Sequence, residues 1–442
     1  MKGVAQSCGP SARGLVVAHA PKMAARALPA GPSPPIGRQS NLVVAQAAKK
    51  PATPAQILPP SAAPLLPPKS PIGTQFNLSY ETSWAAPTLH YSLLGGDWQT
   101  CPLDEVTSAG PHWRHACLVA PPGAAPRSPG APAVEFVVTD GGELWDKAAD
   151  GGNYALPALG SYRLQHGTVH AVARPPVLLV TDLDDTLIGD DEATAAFTAW
   201  WRAVGVPAGG RLVYNTGRAL DLFEALLAEK RGVLAEPDML ISSVGTKIYT
   251  RRGAGWREDE AYAAALGRGW DLEAVREAAY AALAAVGRDA MHFRPPSEMN
   301  EHKVTCGVRG DVLDRVRAAV GGALDAAGVA HRLIVSGAGE WHYIDVVPAR
   351  AGKAQALEYA RAALGFDAAA TVACGDSGND VDMLQGAHHA VVVANAQPDL
   401  MEWARGRAAA AAGGGGGGAP LVTKAPRAEG ILEALQQLGF RE

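Results

Sequence analysis

Short apolar runs recur through the second half of the chain, each followed by a longer stretch whose apolar positions repeat with helical spacing. "VLLVTD" precedes Glu192 to Val204, "RLVYNTG" precedes Leu220 to Lys230, and "TVACGD" precedes Asp380 to Leu384. Continuous runs of this length suit strands buried on both faces. Their alternation with amphipathic helices predicts an α/β fold: a doubly wound parallel sheet of Rossmann-like layout, with helices on either side.

The stretch from Pro87 to Val169 has a different rhythm. Its apolar positions fall in pieces such as "LHYSL", "WRHACLVA" and "VEFVVTD", divided by Gly and Pro and short of helical period. That pattern predicts a small antiparallel β-sandwich over residues 87–169. Further on, "AAAAAGGGGGGA" (Ala408 to Ala419) breaks the α/β pattern and is expected to form a disordered surface loop. A last strand, "LVTK", and a last helix, Glu429 to Leu438, follow it.

Composition changes the picture most at the start of the chain. Met1 to Tyr80 contains no Asp or Glu, while Lys2, Arg13, Lys22, Arg26, Arg38, Lys49, Lys50 and Lys69 are spread through Ala, Pro and Ser. Such an acid-free basic leader reads as an organelle transit peptide, and Lys50 to Pro71 as an extended Pro-rich spacer; residues 1–86 are therefore expected to be disordered. A length of 442 residues leaves room for two or three domains beyond it. The formal net charge of -5 argues against nucleic acid as a partner. Five scattered cysteines without CxxC spacing indicate neither a disulfide framework nor a zinc site, and fit a reducing compartment. No apolar stretch is long enough to span a bilayer, so no membrane partner is expected.

The candidate chemistry gathers at the ends of the predicted strands. "VLLVTDLDDTLIGD" (Val177 to Asp190) places Asp182 and Asp184 just past an apolar strand. Positions i and i+2 of an extended segment point the same way, so the two carboxylates are expected to face one small volume. That is costly unless a cation lies between them or one is protonated. Thr216 in "RLVYNTGR", with the backbone amides of the following turn including Gly217, can donate to an anion. Lys353 opens a helix in "ARAGKAQALEY" and can offset charge on a transferring group. "VACGDSGNDVDML" puts Asp376 at a strand exit and Asp380 at the next helix start. Hard oxygen donors with open positions suit Mg²⁺. Asp185 and Asp190 read as solvated loop acids.

In this order the residues resemble the haloacid dehalogenase-like phosphatases, whose motifs are DxDxT, Ser/Thr, Lys and GDxxxD. The resemblance implies that Asp182 attacks phosphorus to form an aspartyl-phosphate, and that Asp184 protonates the leaving oxygen and later takes a proton from water. It implies that Thr216 and Lys353 bind the phosphoryl oxygens. Mg²⁺ would be held by the Asp182 carboxylate, the Asp184 carbonyl and Asp376, with Asn379 and Asp380 in support. The 136 residues between Thr216 and Lys353 exceed what one strand and helix need. An α+β cap is expected at 252–341, inserted into a core of 175–251 and 342–442.

Within that range "ISSVGTKIYT", "WREDEAYAAALGRGWDLEAV", "EHKVT", "VVPARAGKAQAL" and "CGDSGNDVDMLQGAHHAVVVANAQPDLMEW" run in the order of the sucrose-phosphate phosphatases, which the chain resembles from Val177 to Trp403. The likeness implies that His302 and Lys303 lie near the sugar and Asn395 at the edge of the site. The chain departs from that family in carrying Lys247 where an acid is usual, and in a shortened stretch before His302 that leaves Asn300 and Glu301 without the usual Arg. Sucrose 6-phosphate is the leading substrate, with glucosylglycerol phosphate and mannosyl phosphoglycerate as alternatives.

Residues Thr88 to Pro157 resemble the starch-binding modules of amylases and starch synthases, through His90, Trp98 and Trp145; "WDKAADGGNY" departs from their Asn pair. Trp113 is expected in the module's own core. The likeness implies an α-glucan partner, and with the leader it implies a plastid. A monomer is expected. Two other classes compete: a silent starch-bound scaffold, and a phosphomutase using Arg288, Arg294, Lys303 and Arg309 as a second phosphate site.

Overall fold

The computed structural model describes residues 57–58 and 75–441, except 110–111, 121–127, 129, 174, 253–254, 338, 387–388 and 413–417. The predicted transit peptide lies outside these residues, as does the Pro-rich spacer apart from Ile57–Leu58.

Apolar runs become the centre of an eight-stranded sheet. Its order is Gly255–Glu258, Lys247–Arg252, Met239–Ser242, Arg211–Asn215, Leu178–Thr181, Thr371–Gly375, His389–Val392, Leu421–Val422. The last six strands run parallel, and the first two form an antiparallel hairpin on the edge. Alternate residues of one strand serve opposite cores, as the period of two requires. Leu179, Leu212 and Val372 meet Phe197, Phe223 and Ile431 on one face. Leu178, Val180 and Val213 meet Tyr262, Leu357 and Leu400 on the other. The expected low-complexity loop is helical in its first part, because the helix Pro398–Ala412 takes in Ala408 to Ala412. Five alanines in a row favour helix more than any other state. Its glycines at 413–417 lie outside the described residues.

The inserted layer is an antiparallel sheet, in the order Met291–Phe293, Val304–Arg309, Trp341–Pro348, His331–Ser336. One face is covered by the helices Leu272–Val286 and Leu313–Ala326, which share a core with Val304, Cys306, Ile344 and Val346. Its limits differ from the expected 252–341. Lys247–Arg252 and Gly255–Glu258 extend the main sheet, and the helix Glu260–Leu266 buries Tyr262 and Leu266 in the main core. Trp341–Pro348 instead pairs within the insert, with Val304–Arg309 from Trp341 to Val346 and with His331–Ser336 on its other side. Backbone pairing, which the residue pattern does not specify, decides both boundaries.

The amino-terminal region consists of two sheets around one core. The first runs Ile57–Leu58, Thr168–Val172, Gly160–Gln165, Gln75–Glu81, Trp113–Val119, Asp104–Glu105. The second runs Gln99–Pro102, Thr88–Leu93, Val134–Thr139, Trp145–Asp146, with Tyr154–Leu156 also on Val134–Thr139. Phe76, Leu78 and Tyr80 of one meet Leu89, Phe136 and Tyr154 of the other. The region therefore starts before residue 87, with Gln75–Glu81 as a central strand. It is also not wholly antiparallel, since Gly160–Gln165 runs parallel to Gln75–Glu81. Trp113 leaves the expected core and packs against the α/β cluster, where Val106 is fully buried.

This region is docked on the starting ends of the parallel strands. Asp238, just before Met239–Ser242, accepts from Ser108 Oγ at 2.9 Å and from Leu212 N at 2.8 Å. Thr107 Oγ1 donates to Pro237 O at 2.8 Å, and Ser79 Oγ to Val206 O at 3.2 Å. No helix among the described residues is long and apolar enough to cross a membrane.

Candidate active site

Leu178–Thr181 delivers Asp182 to the carboxyl ends of the parallel strands, where loops and helix starts converge. Its neighbour Thr371–Gly375 delivers Asp376 beside it. Asp182, Asp376 and Asp380 are buried, and each offers an oxygen within 4.8 Å of the others. Lys353, at the start of the helix Lys353–Ala363, joins this cluster. Its Nζ lies 3.2 Å from Asp182 Oδ1 and 2.7 Å from Asp380 Oδ1. Although burial opposes its charge, Asp182 and Asp380 hold the ammonium protonated above the ordinary lysine range. Burial, with Asp380 and Asp376 adding repulsion against the pull of Lys353, raises Asp182 to about 7. Burial likewise raises Asp376 to about 6, opposed by its hydrogen bond from Thr186.

The acids differ in what they leave free. Asp380 accepts from Lys353 through Oδ1, and from the backbone N–H groups of Asp376 and Ser377 at 3.1 Å each through Oδ2. Both of its oxygens are occupied, so it braces the lysine and the loop. Gly375 permits this, because a Cβ there would lie 2.5 Å from Asp380 Cβ. Asp376 uses only Oδ1, at 2.8 Å from Thr186 Oγ1, which leaves Oδ2 open. Asn379 has a buried Oδ1 without a hydrogen-bond partner. Two carboxylates with open positions and an idle amide oxygen form an all-oxygen donor set, which fits a hard divalent cation.

Asp184 departs from expectation. The strand ends at Thr181 and the chain turns at once, with Asp185 at φ 56, so the rule for positions i and i+2 no longer applies. Asp182 is buried, whereas Asp184 is exposed and held by Arg218 in a two-point pair at 2.8 and 2.6 Å. Asp185 is not simply solvated either: Arg427 Nη2 donates to it at 2.9 Å. Asp190 caps the helix Asp191–Trp200 by accepting from Ala193 N. Asn395 ties these loops together, donating to Asp185 O at 2.8 Å and accepting from Arg427 N at 2.9 Å.

Thr216 is fully buried, its Oγ1 accepting from Arg218 N at 3.2 Å, with Gly217 between them. Asn215, which the sequence reading passed over, donates to Lys353 O at 2.9 Å and so ties this strand to the lysine helix. A turn at Ser243, Val244 and Gly245, all at positive φ, lies against the same elements. Val244 N donates to Thr216 O, and Ser243 N to Arg218 O.

In the insert, His302 is buried, and its Nδ1 has no hydrogen-bond partner and lies 3.9 Å from Glu301 Oε1. Lys303 is also buried, 3.4 Å from Asp345, which in turn accepts from Thr305 Oγ1 at 2.6 Å. The unusual Lys247 pairs with Glu258 at 2.7 Å and with Glu301 of the insert. Asn300 Nδ2 donates to Thr246 Oγ1 at 2.9 Å across the same junction. The lysine at 247 thus meets an acid supplied by the insert. Of the basic residues considered for a second phosphate site, Arg294 is paired with Glu298 and Arg309 with Asp311.

A second cluster lies on the two-sheet region. His90 faces away from the core of its strand, and its ring centre is 5.0 Å from that of Trp145. The ladder pairs His90 with Thr100, and Trp98 precedes the strand Gln99–Pro102 that carries Thr100. Trp98 and Trp145 are 48% and 47% exposed. Asp146 anchors the strand beneath, taking hydrogen bonds from Tyr80 OH at 2.9 Å and Tyr154 OH at 2.6 Å.

Residues 175–439 match the family described as sucrose-6F-phosphate phosphohydrolase. The chain is 30% identical over 240 residues to sucrose-phosphatase 1 of Nicotiana tabacum, covering 52% of this chain and 53% of that protein. It is 29% identical over 273 residues to the mannosylfructose-phosphate phosphatase of Agrobacterium fabrum, covering 60% of this chain and 98% of that protein. The chain spans about half the length of the tobacco relatives it matches. Among solved structures, a sucrose-phosphatase from Synechocystis aligns with a TM-score of 0.49 at 27% identity, over 60% of this chain and 98% of that one.

Proposed function

As this chain belongs to the sucrose-6F-phosphate phosphohydrolase family, we propose that it is a sugar-phosphate phosphatase acting through Asp182, with sucrose 6-phosphate as substrate. The observation that carries the proposal is the buried cluster of Asp182, Lys353, Asp376 and Asp380 at the strand exits. Asp182 attacks phosphorus, the bond to the sugar oxygen breaks, and water later cleaves the aspartyl-phosphate. Lys353 places a fixed positive charge beside the oxygens that gain charge, in a buried site where that charge is weakly screened. Thr216 and the amide of Gly217 complete the cradle. Asp184 serves as the proton carrier once it exchanges Arg218 for the leaving oxygen. Mg²⁺, which Asp182, Asp376, the Asp184 carbonyl and Asn379 would hold, supplies Lewis-acid polarisation of the phosphoryl group.

His302 and Lys303 face the leaving sugar in this reading. Mannosylfructose phosphate is the second candidate, because the chain matches that phosphatase over nearly its whole length. Phosphate release over a panel containing both esters, glucosylglycerol phosphate and mannosyl phosphoglycerate decides the substrate. No release from any ester, with Mg²⁺ present, would overturn the enzymatic reading in favour of a scaffold.

The raised carboxyl groups give a pH prediction. Metal ligands must be deprotonated. Asp182 holds its proton up to about 7 and Asp376 up to about 6. Mg²⁺ affinity, read by calorimetry, is therefore expected to be steady above about pH 8 and to fall progressively toward about pH 5.5. An affinity independent of pH over that range would contradict the assignment of these two ligands.

The reading includes an α-glucan partner at His90, Trp98 and Trp145, supported by the exposure of the two tryptophans and the contact of His90 with Trp145, and a plastid location suggested by the acid-free leader. Trp98→Ala with Trp145→Ala is expected to weaken retention on amylose roughly tenfold, since flat rings supply most of such a contact. Turnover of a soluble ester should be unchanged. Equal loss of both would show that the aromatic face is not a separate site.

A further inference from the structure

The surface by which the two-sheet region docks on the α/β core carries groups that the reaction does not use. Gln75–Glu81 turns Phe76, Leu78 and Tyr80 inward, which sends Asn77 and Ser79 outward. Trp113–Val119 sets His115 opposite Ser79. Gly160–Gln165 sets Arg163 opposite Ser79 and Ser161 opposite Asn77. Arg163, Ser79 and His115 therefore form one row across three strands, with Ser161 and Asn77 in the next. The start of Arg211–Asn215 closes over this surface, as shown by Gly209, where a Cβ would lie 3.2 Å from His115 Cε1 and 3.7 Å from Asn77 Cβ. Arg211, His115, Asn77, Ser79 and Ser161 are all at least nine-tenths buried.

The charges in this seam do not balance. Arg211 Nη1 and Arg163 Nε are buried without a hydrogen-bond partner. Among the described residues, neither guanidinium has an ion pair or a side-chain hydrogen bond. Asp238, which precedes the neighbouring strand Met239–Ser242, is occupied by Leu212 N, Ser108 N, Ser108 Oγ and Thr107 Oγ1. Burial, with Arg211 alongside, holds His115 well below the ordinary imidazole range, so it is a neutral group that can donate. Native interiors rarely leave guanidinium donors idle, and a buried cation without a counter-charge is strongly disfavoured.

We propose that the seam is a binding site for inorganic phosphate, gripped by Arg211 and reached by Arg163, with Ser161, Asn77 and His115 as neutral partners. The planar fork of arginine matches an oxyanion at two points, and hydroxyl and amide groups meet its remaining oxygens. The site is distinct from the Asp182 cluster, since it lies at the opposite ends of the strands. Its chemistry stands whether or not the chain hydrolyses an ester; only the source of the phosphate rests on that reading.

Equilibrium dialysis of the full chain against labelled inorganic phosphate tests it. The variant Lys353→Met removes the principal cation of the active site, so phosphate retained by that variant reports the seam. One phosphate per chain is expected in Lys353→Met and none in Lys353→Met with Arg211→Met; phosphate should also raise the unfolding temperature of the first and not of the second. Should Arg211→Met not yield folded protein, Arg163→Met in the Lys353→Met background is expected to bind about tenfold more weakly. Absence of bound phosphate in Lys353→Met, or binding unaltered by either arginine variant, overturns the proposal. Because these arms read binding without turnover, an inactive protein that still binds phosphate would refute the enzymatic reading alone.

Discussion

Asp182→Asn is expected to lower turnover of the preferred ester by roughly 10⁴-fold or more, since the amide has the shape of the carboxylate but cannot attack phosphorus. The fold should survive, and in metal-free protein the variant should be the more stable of the two above neutral pH. The sign follows from the raised pKa. An unfolded Asp releases its proton near pH 4, whereas the buried Asp182 holds it to about 7. Ionising the folded form thus costs stability as pH rises through that window, and the cost persists above it. Asparagine does not carry that cost. Turnover and thermal midpoint of both proteins, with the metal removed for the second measurement, check the pair of expectations. A variant that lost stability along with turnover would mean that the carboxylate holds the fold together instead of doing chemistry.

Gly245→Ala is expected to destabilise the chain by roughly 3 kcal/mol and to cut turnover about 100-fold. Ser243, Val244 and Gly245 have φ of 51, 61 and 77, a run of left-handed residues that includes a β-branched one. At Gly245 the difficulty is more than conformational, because an added Cβ would lie 2.4 Å from Gly352 O and 3.0 Å from Lys353 N. The turn has little freedom to retreat: Tyr262 OH donates to Gly245 O at 2.7 Å, and Thr246 Oγ1 to Ser243 O at 2.9 Å. The helix carrying Lys353 must therefore move, and with it the ammonium beside Asp182. Gly232 provides the comparison, with φ of 84 and nothing within 4 Å of an added Cβ. Gly232→Ala should cost only about 1 kcal/mol and leave turnover alone. Equal costs at the two positions, measured by denaturant unfolding, would remove the collision as the cause.

The sequence makes the strand exits legible because buried parallel strands read as unbroken apolar runs, and an acid immediately after one has few structural reasons to be there. Asp182 and Asp376 follow that logic, and the fold brings Asp380 and Lys353 beside them. The orientation of Asp184 was not legible. It depends on where the strand stops, and on Arg218, whose role as partner nothing in "NTGR" specifies. The turn at 243–245 was missed for a similar reason, since "SSVG" gives no hint that a valine adopts a glycine-like conformation. Gln75–Glu81 shows a different failure. Its alternation of Phe76, Leu78 and Tyr80 is a fair strand signal, but it sits at the end of a Pro-rich, acid-free stretch, and composition outweighed period. Its pairing with Gly160–Gln165 spans most of the region and could not be read locally.

The seat of the two-sheet region sets a direction for the whole molecule. It is fastened beneath the first residues of the parallel strands, through Asp238 and Val206, and its exposed aromatic pair belongs to the sheet on the side away from that seam. The acids lie past the last residues of the same strands. A chain lying on a polysaccharide granule by His90 and Trp145 would consequently turn its catalytic mouth outward to the surrounding solution. The granule would then serve as an address, and the ester would arrive by diffusion from the other side.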